Sequence, residues 1–473
     1  MRPHGEITRE IERSPTGPKI AAFFDVDRTL LAGYSAMAFF RDKLSSGKLS
    51  LGDFLRSTSA AVRFSMQQTS FPTLIEESSS DFEGLTAAEL AEVGERVFTQ
   101  RLATEIYPES RALVKAHQRR GHSVAIVSSA THFQVDALAR ELEIEHVLCT
   151  ELEMESGRFT GKVIRPACFR EGKLEAATEF SERVGADLDQ SYFYTDSHDD
   201  ISLLERVGNP RLVNPDGKLS EAGTEAGWPI MSFASRGQPG PEQLLRLGLS
   251  LGALGPAAMV GAPTALATGS LRRGLDAGIS TYSDLSTALT GVEVQVEGEE
   301  NLWAQRPAVF IFNHQSGLDT LLMAKLIRRD VVGVAKAELK KNPIMGPLLE
   351  AAGTVFVERG GRGKAIDTMK PAVQAINDGL SLVIAPEGTR SSTTRLGAFK
   401  KGAFHAAMAA EVPIVPVVIR NALDALPNKA FVIRPATVEI VVHPPISTDD
   451  WTPENLDARI EDIHRLYEAT LDA

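Results

Sequence analysis

The sequence contains few cysteines and no excess of basic charge. Its two cysteines, Cys149 and Cys168, lack the spacing of a zinc site or of a disulfide framework. The 473 residues carry 50 Lys and Arg against 62 Asp and Glu, whereas proteins that bind nucleic-acid backbones concentrate positive charge. We therefore expect a reducing, cytoplasmic environment and no nucleic-acid partner.

Residues 1–19 lack the apolar core of a signal peptide, because they are polar and contain three prolines. We predict a disordered tail there. The composition, with 43% apolar and 24% charged residues, weighs against wholesale disorder and against a multi-span membrane protein. A chain of 473 residues exceeds what one hydrophobic core supports, so at least two domains are expected.

One long stretch, residues 247–271, carries no charge and is long enough to span a bilayer. It is rich in Ala and Gly and contains Pro256 and Pro263, which weakens insertion relative to a Leu-rich span. We predict a membrane-associated helical segment over residues 242–291, in which two short helices dip into one leaflet. A full span and a hairpin buried in a soluble core are the alternatives.

Three short apolar runs in the first half each lead into a polar side chain and indicate strands. They are residues 20–24 with Asp25, residues 123–127 with Ser128, and residues 192–194 with Asp196. Helical stretches separate these runs, which predicts an α/β fold with a doubly wound parallel sheet. We place this domain at residues 20–225, a helical insertion at about 32–106, and a linker rich in Gly, Pro and Ser at 226–241.

The alternation of strand and helix patterns returns after residue 292. The strand-like runs are residues 308–312, 331–335, 354–357, 382–385, 414–419 and 438–442. A second α/β domain is therefore predicted over residues 292–473.

Asp25 and Asp27 lie two residues apart, directly after the first predicted strand. Both carboxylates can reach one phosphate and one divalent cation, and ligands that are all oxygen favour Mg²⁺. One carboxylate can attack phosphorus while its neighbour handles the leaving-group proton. We assign the attack to Asp25 and the acid/base role to Asp27.

Later residues supply the rest of a phosphoryl-transfer site. Ser128 can donate a hydrogen bond to phosphate, Lys173 can neutralise developing charge, and Asp196 and Asp200 can join the aspartates as metal ligands. With these four motifs in order, residues 20–225 resemble the haloacid dehalogenase superfamily, in its phosphoserine-phosphatase-like branch with a helical cap after the first motif. The resemblance implies an aspartyl-phosphate on Asp25 and Mg²⁺-dependent hydrolysis of a phosphomonoester.

The cap entrance departs from the pattern of that branch. Phosphoserine phosphatases carry an acidic residue nine positions after the nucleophile, where it meets the substrate ammonium, but this chain has Tyr34. We therefore expect a phosphomonoester without that ammonium group.

In the segment FNHQSGLD, His314 and Asp319 lie five residues apart after a predicted strand. A carboxylate on one imidazole nitrogen fixes the tautomer and leaves the other nitrogen as a base, so His314 can deprotonate a hydroxyl that attacks a thioester. Backbone amides and cations downstream can hold a phosphate. These residues are Glu387, Gly388, Thr389 and Arg390 in APEGTRS, with Arg359 and Lys336 as further cations.

The segments NHQSGLD, GTVFVER, PEGTRS and VPIVPVVI resemble the four ordered motifs of the glycerolipid acyltransferase family, which includes bacterial 1-acylglycerol-3-phosphate acyltransferases. The resemblance runs from about residue 295 to about residue 445. It implies that His314 is the general base and that Asp319 orients it. The expected reaction transfers an acyl group from acyl-CoA, or an acyl carrier protein, to the sn-2 hydroxyl of lysophosphatidate, giving phosphatidate at the cytoplasmic side of the membrane.

Two other functional hypotheses stay open. The chain could acylate a different lysophospholipid, with the first domain acting as a regulatory or dimerisation module. Alternatively, both domains could bind lipid phosphates without turnover, as a membrane scaffold. Membrane lipids are expected partners in each case, and the helical cap and the apolar hairpin are candidate surfaces for a homo-oligomer.

Overall fold

A computed structural model of the chain describes residues 4–45, 82–342, 345–357, 365–428 and 430–472. The chain divides into two compact units, Met1–Gln238 and Pro239–Ala473. This division lies inside the range 226–241 that was predicted as a linker. The first part of that range is not a free linker, because Ile230–Met231 forms a strand that joins the sheet of the first unit.

The first unit contains a six-stranded sheet in which every pair of neighbouring strands is parallel. Its strands are β1 (Ala21–Phe24), β2 (Ser123–Thr131), β3 (His146–Thr150), β6 (Tyr192–Thr195), β7 (Asn209–Val213) and β8 (Ile230–Met231), in the order β3-β2-β1-β6-β7-β8. A separate antiparallel pair consists of β4 (Leu152–Glu155) and β5 (Arg158–Val163). The predicted parallel sheet is confirmed.

Both faces of this sheet are buried because side chains alternate along its strands. Phe24 and Ile126 pack in one hydrophobic cluster, and Phe23 and Val127 pack in another. The helices of the unit are α1 (His4–Arg13), α2 (Ser35–Ser45), α3 (Ala87–Val97), α4 (Pro108–Arg119), α5 (His132–Glu141), α6 (Glu171–Val184), α7 (Ile201–Arg206) and α8 (Gly217–Ala226). The described part of the predicted insertion is helical, and residues 46–81 lie outside the description.

The prediction of a disordered tail is wrong for residues 4–13, which form helix α1. Ile11 is 2% exposed and belongs to the hydrophobic core of the first unit. The prolines that suggested disorder, Pro15 and Pro18, lie after the helix. Just beyond α1, the carbonyl of Pro15 accepts a hydrogen bond from Nε2 of His122 at 2.8 Å, so this segment is held against the unit.

A buried histidine pair lies beneath α1 and predicts a dependence of stability on pH. The Nδ1 atoms of His117 and His122 lie 2.8 Å apart, and Nε2 of His117 lies 2.9 Å from the Tyr194 hydroxyl. One ring must donate to the other, so the two rings cannot both be protonated. Burial holds the pKa of His117 well below its usual range, and the charges of His122 and Arg211 lower it further.

The unfolded chain therefore binds more protons than the folded chain below about pH 6.5, and stability falls as the pH drops through that window. We expect the free energy of opening to decrease by at most about 1.4 kcal/mol per pH unit. Hydrogen exchange of the full chain, corrected for the intrinsic rate, should show less protection of α1 and α4 at pH 5.5 than at pH 6.5. Equal protection at both values would contradict this account.

The second unit contains a seven-stranded mixed sheet with the order β12-β11-β13-β10-β14-β15-β9. Its strands are β9 (Val292–Glu297), β10 (Val309–Phe312), β11 (Val331–Lys336), β12 (Val355–Val357), β13 (Ser381–Ile384), β14 (Ile414–Ile419) and β15 (Ala436–Val442). From β12 to β14 all neighbours are parallel, whereas β15 is antiparallel to β14. The carboxyl ends of β10, β11, β12 and β13 therefore lie at one edge.

The helices of the second unit are α9 (Pro241–Gly252), α10 (Leu254–Thr268), α11 (Leu271–Thr290), α12 (Asn301–Ala304), α13 (Asp319–Ile327), α14 (Met345–Ala351), α15 (Ala365–Asn377), α16 (Gly402–Ala409), α17 (Ala422–Ala425) and α18 (Leu456–Asp472). Those between and beside the strands cover both faces of the sheet, since Ile311 and Phe312 pack in different hydrophobic clusters. The predicted second α/β domain has the expected alternation.

Helices α9 and α10 follow each other within one 28-residue stretch, Pro241–Thr268, which is long and apolar enough to cross a membrane. Only 17% of its most apolar window is buried, so the alternative of a hairpin buried in a soluble core is wrong. Helix α10 packs closely on α11: a Cβ built on Gly261 would lie 2.8 Å from the carbonyl oxygen of Gly274. Pro263 lies within α10 without ending it.

Candidate active sites

The first candidate site lies where β1 and β6 end. Asp25 follows β1 directly and is 7% exposed. The ammonium of Lys173, at the start of α6, lies 2.9 Å from Oδ1 of Asp25 and 2.8 Å from Oδ2 of Asp200. Oδ2 of Asp200 also accepts a hydrogen bond from the Thr195 hydroxyl at 2.5 Å. Lys173 is therefore a buried cation that holds two motifs together.

Asp27 and Asp196 complete the acidic part of this site. Oδ1 of Asp27 accepts a hydrogen bond from the backbone N–H of Ser35 at 2.7 Å, which ties the entrance of α2 to the site. Oδ2 of Asp196 lies 3.1 Å from the guanidinium of Arg28. Arg28 was not predicted, although it immediately follows Asp27 in the first motif.

The carboxylates of this site carry more negative charge than the two cations offset. Burial raises the pKa of Asp25 to about 7, against the opposing effect of Lys173. Burial also raises the pKa of Asp196 to about 8, and the charge of Asp25 adds to this. The carboxylates of Asp200 and Asp25 outweigh burial at Lys173 and raise its pKa, so the lysine stays charged.

The predicted set of four metal-binding carboxylates is not formed. The described residues contain no group of three or more His, Cys, Asp or Glu side chains that could hold a metal ion. Asp200 is engaged by Lys173 and Thr195, and Asp27 by the N–H of Ser35. Asp25 and Asp196 are also paired, with Lys173 and Arg28, but each pair uses one carboxylate oxygen. Two buried carboxylates with raised pKa values fit a hard divalent cation that takes its other ligands from water or backbone.

Ser128 and Tyr34 lie near this edge of the sheet without contacting the four carboxylates directly. Ser128 is 2% exposed in β2, next to β1, and its hydroxyl accepts a hydrogen bond from the N–H of Ala130 at 3.2 Å. Tyr34 is 57% exposed, one residue before Ser35. The cap position that reads an ammonium in phosphoserine phosphatases thus carries an exposed phenol in this chain.

The second candidate site lies where β10 runs into α13. Nδ1 of His314 lies 2.8 Å from Oδ2 of Asp319, the first residue of α13. The same oxygen accepts hydrogen bonds from the backbone N–H groups of Gln315 and Ser316, each at 2.8 Å. The tight turn therefore brings the predicted pair into contact, and Nε2 of His314 is left as the acceptor.

Asp319 is fully buried, and burial raises its pKa, although the hydrogen bond from His314 and the two backbone N–H groups oppose that shift. Its second oxygen, Oδ1, has no hydrogen-bond partner among the described residues. His314 is partly exposed, with 22% of its side chain accessible. A buried carboxylate behind an accessible imidazole is the arrangement that a general base requires.

Both carboxylate oxygens of Glu387, which was predicted to bind substrate, accept hydrogen bonds from backbone N–H groups. Its Oε1 accepts a hydrogen bond from the backbone N–H of His314 at 2.7 Å, and its Oε2 accepts one from the N–H of Gly397 at 2.9 Å. The N–H of Ser391 in turn donates to the carbonyl of His314 at 2.8 Å. Glu387 is 6% exposed, and we assign it a positioning role in which it fixes the backbone of the base.

Replacing Glu387 by glutamine should lower kcat for acyl transfer, because the amide can accept from only one of the two N–H groups and places its own NH₂ against the other. We expect a loss of about 10- to 100-fold in kcat, as for other supporting interactions, with KM for the acceptor within about twofold. Glu461→Gln, an exposed glutamate of α18, is the control. A rise in KM at unchanged kcat would favour the original assignment to the acceptor.

The described members of the remaining predicted residues, Lys336, Gly388, Thr389 and Arg390, lie around the carboxyl edge of the sheet. Gly388 has a φ of 69°, and Thr389 and Arg390 beside it are exposed. The guanidinium of Arg390 lies 3.5 Å from where a Cβ on Gly317 would be, over the loop that carries the histidine. Lys336 ends β11 at the same edge, and Arg359 lies outside the described residues.

Comparisons with known proteins agree with this division into two sites. The haloacid dehalogenase-like hydrolase family matches residues 22–205, and the Acyltransferase family matches residues 293–420. A phosphoserine phosphatase, SerB1, of Mycobacterium tuberculosis is 31% identical over 248 residues, which cover 50% of this chain and 78% of that protein.

The second half matches acyltransferases. A 1-acyl-sn-glycerol-3-phosphate acyltransferase of Limnanthes alba is 37% identical over 186 residues, which cover 39% of this chain and 66% of the plant protein, slightly less than two thirds of its length. The crystal structure of the acyltransferase PlsC from Thermotoga maritima aligns with 49% of this chain and 97% of its own, at 21% identity and a TM-score of 0.42. The chain belongs to the haloacid dehalogenase-like hydrolase family, and its residues 293–420 match the acyltransferase family.

Proposed function

We propose that the second unit transfers an acyl group from acyl-CoA or an acyl carrier protein to the sn-2 hydroxyl of 1-acylglycerol-3-phosphate. The single observation that carries this proposal is the 2.8 Å contact between Nδ1 of His314 and Oδ2 of Asp319 at a partly exposed loop. Nε2 of His314 takes the proton as the acceptor oxygen attacks the thioester carbonyl. The buried carboxylate then stabilises the imidazolium, and the protonated ring returns the proton to the leaving thiolate.

The acceptor phosphate would be bound at the same edge of the sheet. Arg390 reaches over the histidine loop, and Gly388, whose φ is 69°, gives the turn beside Arg390 a position without a side chain. Lys336 and Arg359 follow β11 and β12, the neighbouring parallel strands. An anion bound there would hold the glycerol hydroxyl next to the base.

The donor is tested by supplying the purified chain, in detergent micelles containing lysophosphatidate, with either acyl-CoA or acyl carrier protein. Formation of phosphatidate with one donor and not the other would identify the thioester carrier. If neither donor gives an acylated product with lysophosphatidate but one does with another lysophospholipid, the acceptor assignment fails while the acyltransferase assignment stands.

We infer that the first unit hydrolyses a phosphomonoester through an aspartyl-phosphate. Asp25 attacks phosphorus, Asp27 donates a proton to the leaving oxygen and later activates water, and Lys173 and Ser128 bind the phosphoryl oxygens. Asp25 and Asp196 would hold Mg²⁺, which when bound supplies positive charge to the transferring group. Lys173 supports this proposal, because a buried ammonium 2.9 Å from the nucleophile is placed to offset charge during transfer.

The substrate of this unit is proposed to lack the ammonium group of phosphoserine. Tyr34 occupies the position at which phosphoserine phosphatases carry an acidic residue, and the Arg28 guanidinium lies beside it. This side of the entrance therefore favours a substrate with an anionic or hydroxylated group. A panel of phosphomonoesters, assayed with Mg²⁺ and with chelator, tests the assignment. Faster release from phosphoserine than from phosphomonoesters without an ammonium group would contradict it.

Association with the cytoplasmic side of a membrane is proposed for the hairpin formed by α9, α10 and α11. Large apolar side chains on this hairpin are exposed, including Leu245 at 63%, Met259 at 77%, Leu266 at 86% and Leu271 at 70%. Such exposure is unusual for a surface that faces water. Flotation with lipid vesicles would test the proposal, and loss of flotation on replacing Met259 and Leu266 by serine is the expected result.

A further inference from the structure

We propose that Lys400 is a further acceptor-binding residue, which recognises the phosphate of the acylated glycerol lipid together with Arg390. The inference deepens the proposed acyl transfer and rests on it. The motifs of the sequence do not assign this role, since FKKGAF contains two adjacent lysines and gives no reason to choose between them.

Lys400 is fixed against the turn by its backbone. Its N–H donates to the carbonyl of Pro386 at 2.9 Å, one residue before Glu387. The preceding side chain, Phe399, packs edge-on against Tyr467, with ring centroids 5.3 Å apart and an interplanar angle of 90°. Lys400 itself is exposed.

The outward path of Lys400 runs along the open face of Gly388. A Cβ built on Gly388 would lie 2.6 Å from Nζ of Lys400, and 3.2 and 3.3 Å from its Cδ and Cε. Any larger residue would displace the lysine, and the φ of 69° already favours glycine. The glycine at position 388 therefore leaves room for an ammonium directly over the turn.

This turn is bound to the catalytic histidine on both sides. Glu387 accepts from the N–H of His314, and Ser391 donates to its carbonyl, so the residues between them are held at a fixed distance from the base. Arg390 extends towards Gly317 in the histidine loop, and Lys400 lies over Gly388 of the turn. An anion bound by both cations would lie close to His314. The acceptor requires this proximity, because its phosphate is only two bonds from the glycerol backbone that carries the reacting hydroxyl.

The two neighbouring lysines differ in their partners. Nζ of Lys401 lies 2.5 Å from Oδ1 of Asp457. Within the part of the chain that the structure describes, the ammonium of Lys400 makes no hydrogen bond or ion pair. A cation held over a glycine turn and left without a carboxylate is available to a ligand, whereas Lys401 is already paired and provides a matched control.

The test measures KM and kcat for lysophosphatidate with the full chain and with Lys400→Ala, Lys400→Arg and Lys401→Ala. Loss of one charged hydrogen bond should raise KM about tenfold in Lys400→Ala, with kcat within about twofold. Lys400→Arg should recover most of the loss, and Lys401→Ala should match the unchanged chain. Competitive inhibition by glycerol 3-phosphate should weaken in parallel with KM in Lys400→Ala.

An unchanged KM in Lys400→Ala, or a fall in kcat at constant KM, would overturn the inference, the second because it marks a structural role. If the unchanged chain does not acylate lysophosphatidate at all, the proposed function fails first. Calorimetric titration with glycerol 3-phosphate then still decides the binding role: equal affinity for the unchanged chain and Lys400→Ala, or no binding to either, overturns it.

Discussion

Replacing His314 by alanine should lower acyl transfer by about a thousandfold, within the range that a general base contributes. The imidazole is the group whose free nitrogen faces the accessible side of the loop, because its Nδ1 is engaged by Asp319. Removing the ring deletes the proton acceptor, while Glu387 still binds the backbone N–H at position 314. The turn should therefore keep its shape, and KM for the acceptor should change little.

Phosphate release by the first unit should be unaffected in His314→Ala, because no residue of the first candidate site is changed. His405→Ala is the matched control, since His405 lies on α16 of the same unit and makes no contact with the His314 pair among the described residues. Transfer that persists at more than a tenth of the original rate in His314→Ala would remove the histidine from the mechanism.

The second large effect is expected at Asp25. Asp25→Asn should reduce phosphate release by about a thousandfold or more, since the amide cannot form the covalent intermediate. Folding should not suffer, because burial already disfavours the ionised carboxylate and raises its pKa to about 7. Lys173 also keeps its second partner, Asp200, at 2.8 Å.

Acyl transfer by the same variant should be unchanged, and this contrast separates chemistry from misfolding. Asp189→Asn serves as control, because Asp189 is an exposed partner of Arg206 in the same unit. Rapid phosphate release from Asp25→Asn would contradict the assignment of Asp25 as the nucleophile. A loss of thermal stability in Asp25→Asn, but not in the control, would show that the Asp25 carboxylate is needed for folding.

Strands with uninterrupted apolar runs, including the edge strand β12, could be predicted from the sequence, whereas β7 and β9 could not. Residues 20–24 and 414–419 are buried on both faces and correspond to β1 and β14. Strand β9, with the sequence VEVQVE, alternates polar and apolar residues because it lies at the edge of its sheet. Strand β7 begins with Asn209 and Pro210, and prolines weaken a strand prediction.

The site residues could be named from their motifs, but their partners could not. A motif shows that Asp200 and Glu387 are present, and both were predicted to contact a ligand. In the folded chain Asp200 instead pairs with Lys173, and Glu387 accepts hydrogen bonds from two backbone N–H groups. Those contacts join segments 27 and 73 residues apart, so local spacing cannot reveal them. The His314–Asp319 pair was predictable because a single turn connects its members.

We propose that this one chain carries an acyltransferase for lysophosphatidate and an independent phosphohydrolase. Mass-resolved product analysis of the full chain with lysophosphatidate, acyl-CoA and Mg²⁺ in micelles tests it most directly. The account predicts phosphatidate, formed by the unchanged chain and by Asp25→Asn but not by His314→Ala. Diacylglycerol formed by the unchanged chain and not by Asp25→Asn would place the two sites in series, and the absence of any acylated product would contradict the account.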